Sequence, residues 1–179
     1  MFGAEGMAMD IGTFETLDGD LLDLTGCSDV ERAYVERVWQ AYRAGAGWHE
    51  VSRLVDGPEC PMLGPTGGVI TREVYHSPAW RTIRHIEDWA GLRDGSLRSE
   101  PGFDPDADPF ADEWIGTTAA AAQKGVTLSG LLGAVQRGDV IARPRRAGGL
   151  WREVSRRSLE RWQPSEGRQR AGKARAGLH

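Results

Sequence analysis

Residues 114–162 hold two short helical patterns separated by a tight turn, and no other stretch constrains the fold as strongly. Strong helix formers run from Ala119 to Lys124, after the hydroxyls of Thr117 and Thr118, which can cap a helix start. Gly125 ends this helix because glycine adopts the left-handed conformation without strain. A second helix follows, capped by Thr127 and ended by Gly138, with apolar residues at helical spacing: Leu128, Leu131, Leu132 and Val135.

A basic hairpin is predicted behind these two helices. Val140 to Ala142 form a short extended run, and the basic residues 143–146 and the pair Gly148-Gly149 supply a charged turn. The chain returns through Leu150 to Val154, and Ser158 to Trp162 fit a closing helical turn. Two short helices, a tight turn and a basic wing are typical of proteins that read duplex DNA.

The segment resembles the helix-turn-helix of the excisionase and MerR-like winged-helix families over about fifty residues. The matching features are the turn at 125–127, Ala134-Val135, Arg137-Gly138, Val140 with Ala142, and Ser158-Leu159 with Trp162. The sequence departs from those families at Ala119, where they have Glu, and at Lys124, where they have Leu. It also has Leu128, Leu132 and Gly133 where they carry polar or basic residues. The resemblance implies a winged helix-turn-helix whose second helix reads bases.

Candidate DNA contacts divide into two groups. Hydrogen bonding to base edges needs polar side chains on the second helix, namely Thr127, Ser129, Gln136 and Arg137. Attraction to phosphates needs only positive charge, supplied mainly by Arg143, Arg145, Arg146 and Arg152. We therefore expect DNA binding with modest sequence discrimination. In the alternative interpretation Leu128 and Leu132 contact a partner or another part of the protein, and the arginines are a solvated face.

Charge is distributed unevenly along the chain, whose net value is −4. Residues 1–98 carry 9 basic and 16 acidic residues, and residues 99–113 carry 6 acidic residues and no basic one. Residues 114–179 carry 13 basic and 4 acidic residues. Because attraction to phosphate depends on local charge, the acidic total does not argue against a DNA-binding carboxyl-terminal module.

The rest of the chain predicts a small helical domain and a linker. We expect a flexible start over residues 1–27, with one ordered piece at Leu17 to Leu24. Residues 28–98 predict a helical dimerisation or partner-binding domain, whose helices begin at Ser28 with a capping box, at Trp48, and at Ser77-Pro78. Residues 99–113 read as an acidic linker, either a solvated tether or a strip that shields the basic module. Residues 114–163 form the winged helix-turn-helix, and residues 164–179 a basic disordered tail.

Several classes of function are not supported by the sequence. No apolar run approaches the roughly 20 residues that span a bilayer, and the amino terminus lacks a secretion signal, so we expect no membrane contact. Cys27 and Cys60 read as free thiols in a reducing cytoplasm. We expect no metal, no cofactor and no enzymatic activity, because phosphate-binding loops, close zinc-ligand pairs and a usable acid–base pair are all absent.

The expected fold is mainly α, with an amino-terminal helical domain and a carboxyl-terminal winged helix-turn-helix that carries a short β-hairpin. The leading interpretation is a cytoplasmic transcriptional regulator of bacterial or phage type that binds double-stranded DNA as a homodimer and represses its own promoter. The alternative is a protein-binding adaptor, such as an antitoxin with a toxin partner or a phage assembly factor, that reuses the same scaffold.

Overall fold

The computed structural model describes residues 9–144 and 152–166, and the chain divides into two compact units, Met1–Phe110 and Ala111–His179. The described residues form seven α-helices and two small antiparallel sheets, which agrees with the expected mainly helical class at that level. None of the described helices is both long enough and apolar enough to cross a membrane.

The first unit combines four helices with a two-stranded sheet in its described residues. The elements, with a 3-10 turn at Gly64–Thr66 between the second and third helices, are β1 (Thr13–Glu15), β2 (Leu21–Asp23), α1 (Asp29–Arg43), α2 (Trp48–Val55), α3 (Arg72–His76) and α4 (Pro78–Asp94). Helix α4 contacts α1, α2, α3 and β2, so it is the central helix of this unit.

Local sequence determines where the long helices begin. The Ser28 hydroxyl accepts from the Glu31 amide at 3.3 Å, and the Glu31 carboxylate accepts from the Ser28 amide at 2.8 Å, which confirms the predicted capping box. At α4 the Ser77 hydroxyl accepts from the Trp80 amide at 3.2 Å, and Pro78 is the first helical residue, as predicted.

Aromatic side chains from α1 and α4 form the centre of the first core. Trp39 and Tyr42 stack with ring centroids 5.1 Å apart, and Trp89 meets both rings edge-on at 6.1 Å. The aromatic residues of α1 therefore belong to the core, whereas Val30, in the first turn of the same helix, is 65% exposed.

An ordered hairpin occupies much of the segment for which the sequence predicted a flexible start. Strands β1 and β2 pair antiparallel, with Phe14 opposite Leu22. Phe14 and Leu24 are fully buried, and Leu22 is nearly so. The difference has a tertiary cause, because these side chains are buried in the same core as the aromatic residues of α1 and α4.

The first unit also extends through most of the predicted acidic linker, up to Phe110. The Phe110 ring is buried and packs edge-on against Phe14 at 5.1 Å and Trp39 at 5.3 Å. The Tyr42 hydroxyl donates to the Pro105 carbonyl at 3.0 Å. Phe103 packs edge-on against Trp89 at 5.6 Å, and the Glu15 amide donates to the Pro109 carbonyl at 2.9 Å, so residues 103–110 are anchored despite the run of acidic residues and prolines.

Two charged side chains at the end of α4 hold the connection between α1 and α2. The Arg93 guanidinium donates to the carbonyls of Tyr42 and Ala46, each at 2.7 Å. The Asp94 carboxylate accepts from the Trp48 amide at 2.7 Å and from the Ser96 amide at 2.9 Å. Hydrogen bonds from Ser96 and from the Trp48 amide lower the pKa of Asp94 to about 2.

The second unit contains three helices and a three-stranded sheet in its described residues. Its elements are β3 (Trp114–Gly116), α5 (Thr117–Lys124), α6 (Leu128–Arg137), β4 (Ala142–Pro144), β5 (Arg152–Ser155) and α7 (Arg156–Arg161). Leu131, Val154 and Leu159 are fully buried and belong to one core shared by α6, β5 and α7.

The turn between α5 and α6 follows the sequence prediction. Gly125 has φ 64° and ends α5 in the left-handed conformation. Val126 is 6% exposed, and the Thr127 hydroxyl accepts from the Gly130 amide at 3.1 Å. The start of α5 differs from the prediction, because Gly116 is its cap and no side chain hydrogen-bonds there, while Thr117 is buried.

The sheet has the order β3-β5-β4, with both pairs antiparallel. The predicted hairpin corresponds to β4 and β5, whereas β3 was not predicted. Arg143 and Pro144, which were predicted to belong to the charged turn, are part of β4, and the rest of the predicted turn lies outside the described residues, in 145–151. Two serines fix α7 to the sheet: Ser155 accepts from the Ser158 amide at 3.1 Å, and Ser158 accepts from the Ile141 amide at 2.7 Å.

Candidate nucleic-acid interface

Helix α6 has one buried face and one exposed face. Leu131 and Ala134 are fully buried, whereas Ser129 and Gln136 are exposed. These two polar residues are seven positions apart, so they lie on the same side of the helix, two turns from each other. Helix α6 therefore presents a surface on which only a few side chains can hydrogen-bond to a ligand.

Thr127 has a structural role at the start of this surface. Its hydroxyl oxygen accepts from the Gly130 amide at 3.1 Å and caps α6. This bond positions the first turn of the helix, and it occupies an acceptor that the sequence analysis assigned to base reading.

Arg137 lies at the other end of the helix and is paired within the unit. Its Nε and one terminal nitrogen both lie 2.9 Å from the Asp139 carboxylate. A Cβ added at Gly133 would lie 3.3 Å from the Arg137 guanidinium, so this side chain runs back along the helix. Asp139 therefore orients the guanidinium and offsets part of its charge.

Arg143 on β4 is held by side chains from the other two strands of the sheet. Its guanidinium lies 4.2 Å from the centroid of the Trp114 ring and 3.2 Å from the carboxylate of Glu153, its partner in the strand register. The Arg143 side chain is 28% exposed. Its charge is therefore partly neutralised, which makes it a weaker phosphate contact than the sequence predicted.

The remaining predicted phosphate contacts follow the same hairpin. Arg152 begins β5, opposite Pro144, and is exposed. Arg145 and Arg146 lie outside the described residues. Among the described residues, Arg152 is the exposed cation of the predicted wing.

Two leucines interrupt the polar character of α6. Leu128 is 44% exposed in the first turn of the helix, and Leu132, one turn later, is half-buried. Leu132 is therefore partly shielded from solvent, whereas Leu128 presents an apolar side chain to the surroundings.

Two carboxylates at residues 112 and 113 have a role that the sequence analysis did not assign. Asp112 accepts from the Ser155 hydroxyl at 2.5 Å and from the Arg157 amide at 3.2 Å, so it caps the start of α7. Glu113 forms an ion pair with Arg156 at 3.0 Å. Asp112, Glu113 and Ser155 can be read from the sequence, but their contacts cannot. Only the pairing of β3 with β5 brings the two acidic residues next to Ser155 and Arg156.

Lys124 likewise acts over a long distance in the sequence. Its ammonium donates to the carbonyl oxygens of Glu160 at 3.2 Å and Trp162 at 2.9 Å. These carbonyls belong to the end of α7, where positive charge is favourable. The lysine that departs from the family pattern therefore has a specific structural partner.

No protein-family model, no curated protein and no solved structure matches the chain. The likeness to the excisionase and MerR-like families therefore rests on the sequence features named above. Among the described residues, no three of His, Cys, Asp and Glu are grouped so that they could hold a metal ion. Cys27 and Cys60 are free thiols, and burial raises the pKa of each.

Proposed function

We propose that the second unit is a winged helix-turn-helix that binds duplex DNA and regulates transcription. The observation that carries the proposal is helix α6, which follows a three-residue turn after α5 and leaves Ser129 and Gln136 exposed. The exposed face of such a helix fits the major groove, where hydroxyl and amide side chains hydrogen-bond to base edges. The hairpin formed by β4 and β5 is the wing.

Positive charge also supports this proposal. Residues 114–179 carry 13 basic and 4 acidic side chains, but Arg137, Arg143 and Arg156 are each ion-paired within the unit. Exposed cations such as Arg152 remain to attract phosphates. Binding is therefore mainly electrostatic, with modest discrimination among sequences.

The size of the module bears on the number of copies that bind. One helix-turn-helix contacts a small interface, so useful affinity requires two copies on a repeated or palindromic site. In this proposal the protein is a cytoplasmic homodimer that represses its own promoter, and the first unit mediates dimerisation or binds a partner.

The direct test is a fluorescence-anisotropy titration of the full chain against a random duplex and against DNA from its own upstream region, each at two salt concentrations. We expect salt-sensitive binding to both duplexes and tighter binding to the upstream DNA. Absence of binding at low salt would refute the proposal.

A matched pair of variants identifies the surface that binds. Arg152→Gln removes an exposed charge from the wing, whereas Arg53→Gln removes an exposed charge from the first unit. Arg152→Gln lowers the affinity for every duplex. It also reduces the slope of log binding constant against log salt concentration (the salt slope) by about 1, as expected for one lost phosphate contact. Equal effects of the two changes would show that the wing is not the surface that contacts DNA.

A second candidate function is a protein-binding adaptor, an antitoxin or a phage assembly factor, in which α6 contacts another protein. The observation that favours it is the 44% exposure of Leu128 on a helix face that a DNA reader would make polar. Leu128→Arg distinguishes the two functions. Unchanged or improved DNA binding together with loss of a co-purifying protein would favour the adaptor.

A further inference from the structure

A cavity of about 710 Å³ lies beside α3 and α4 in the first unit, well within the range of small-molecule sites. We refer to it as the α3–α4 cavity. Tyr75 and Ile70 stand at its edge, and Trp80, Arg81 and His85 from α4 also line it. Trp80 is 3% exposed, so its ring is a fixed part of the unit.

Two exposed hydrophobic side chains, Ile70 and Tyr75, lie at the edge of this otherwise largely polar cavity. Five large hydrophobic side chains are markedly exposed in the described part of the chain, and three of them, Val69, Ile70 and Tyr75, lie within seven residues of one another. Ile70 is 50% and Tyr75 63% exposed. An apolar edge beside a cavity of this size favours a ligand with an apolar body.

The polar side of the cavity contains an arginine whose guanidinium has no hydrogen-bond or ion-pair partner among the described residues. Arg81 is half-buried, its main-chain amide donates to the Ser77 carbonyl at 3.0 Å, and its charge acts on His85. Arg84, one turn away, lies 2.5 Å from the buried carboxylate of Glu87. Of the two arginines that line the cavity, Arg81 is therefore the one whose guanidinium is available to a ligand.

His85 lies one turn from Arg81 on the same face of α4. Burial lowers the pKa of His85, against the opposing effect of Asp88, so its imidazole is neutral and offers an N–H donor at neutral pH. Asp88 also lines the cavity, and Asp18 and Asp20 act on His85 electrostatically. These acidic neighbours disfavour a ligand with several negative charges, so an anionic ligand here depends on Arg81.

We propose that the α3–α4 cavity binds a small carboxylate with an aromatic body. The carboxylate pairs with Arg81 and accepts from His85, while the aromatic part contacts Tyr75, Ile70 and Trp80. A planar guanidinium suits a carboxylate because two parallel hydrogen bonds can form. This binding does not depend on whether the second unit binds DNA.

Three probes that share a phenyl ring and differ in the polar group test the proposal: phenylacetate, 2-phenylethanol and 2-phenylethylamine. Each is titrated into the full chain by isothermal calorimetry at neutral pH. We expect saturable binding of phenylacetate and binding of the alcohol and the amine that is weaker by about tenfold or more, the usual effect of losing a charged hydrogen-bond pair.

Two arginine variants locate the binding site. Arg81→Gln removes the preference for the carboxylate, whereas Arg72→Gln, an exposed position on α3, leaves it unchanged. Tyr75→Ala weakens binding of all three probes. Circular dichroism verifies that each variant is folded. Equal affinity for acid and alcohol, no saturable binding of any probe, or wild-type affinity for phenylacetate in Arg81→Gln would each overturn the proposal.

Discussion

The ammonium of Lys124 donates a hydrogen bond to the carbonyl oxygen of Trp162 at 2.9 Å and so connects the end of α5 to the end of α7. A second bond, to the Glu160 carbonyl at 3.2 Å, reinforces the connection. The last carbonyls of a helix have no partner within the helix, so this lysine satisfies groups that would otherwise rely on water.

Replacing this lysine should loosen the last helix of the second unit. Lys124→Met removes both hydrogen bonds and destabilises α7 by about 1 to 2 kcal/mol. Amides at the end of α7 then exchange about 5 to 30 times faster in hydrogen–deuterium exchange. Gln123→Met, an exposed neighbour on α5, is the control. Identical exchange in the two variants would show that the lysine bonds do not stabilise α7.

The lowered pKa of Asp94 predicts that the first unit loses stability in acid. In the folded state the pKa of Asp94 is about 2, below its ordinary value of 3.8. The ionised carboxylate therefore stabilises the folded state fully when the pH is above 3.8, and this stabilisation is lost as the pH falls through about 2. Asp94→Asn should therefore destabilise the unit at pH of about 5 and have little effect near pH 2. Urea denaturation at both pH values measures this difference. A constant difference would contradict the prediction.

Phe110 tests whether the acidic segment belongs to the first core. Its ring is 4% exposed, so Phe110→Ala should destabilise the first unit by about 3 to 5 kcal/mol. Faster hydrogen exchange across α1 and α4 is the expected result. Phe103→Ala, at a partly buried position, should have a smaller effect. If both variants exchange like the wild type, the segment is a tether after all.

The ion pair between Arg143 and Glu153 predicts that neutralising the Glu153 carboxylate increases the affinity for DNA. Glu153→Gln removes a negative charge that lies 3.2 Å from the Arg143 guanidinium, so more of the positive charge of the hairpin is available to phosphates. Affinity for all duplexes should rise, with a salt slope steeper by up to about 1. Glu160→Gln, which removes the same charge from α7, should change affinity less. Anisotropy titrations over a range of salt measure both.

The exposed position of Gln136 on α6 predicts that its replacement reduces the preference of the protein for particular DNA sequences. Gln136→Ala removes an amide that can hydrogen-bond to adenine. Affinity for the preferred duplex should fall by about 1 to 3 kcal/mol, while affinity for random duplex stays near its wild-type value. Competition titrations with the two duplexes provide the measurement. An equal loss on both would mean that α6 does not discriminate between bases.

Short-range chemistry explains which parts of the fold were predictable. The caps at Ser28, Ser77 and Thr127 and the left-handed Gly125 each depend on residues within a few positions, and each is found where predicted. The β1–β2 hairpin and the anchoring of Phe110 depend on partners far away in the sequence. Composition alone, rich in Gly, Asp and Pro, pointed to flexible segments there.

The candidate site shows the same division. Exposure of Ser129 and Gln136 agrees with the helical spacing of α6 in the sequence, although Leu128, on the same predicted stripe as the buried Leu131, is 44% exposed. The partners of the arginines could not be predicted from the sequence, because Arg143 contacts Glu153 and Trp114 only when the three strands are paired. Positive charge counted along the sequence therefore overstates the charge available to a ligand.

The capping of α7 by Asp112 limits how the protein can be divided by genetic engineering. A fragment that begins at Trp114, where the sequence pattern of the second unit starts, would lack the acceptor for the Ser155 hydroxyl and the Arg157 amide, as well as the counter-ion of Arg156. A fragment that begins at Ala111 keeps all three interactions. Recombination or domain fusion that preserves this unit must therefore carry the two acidic residues with it.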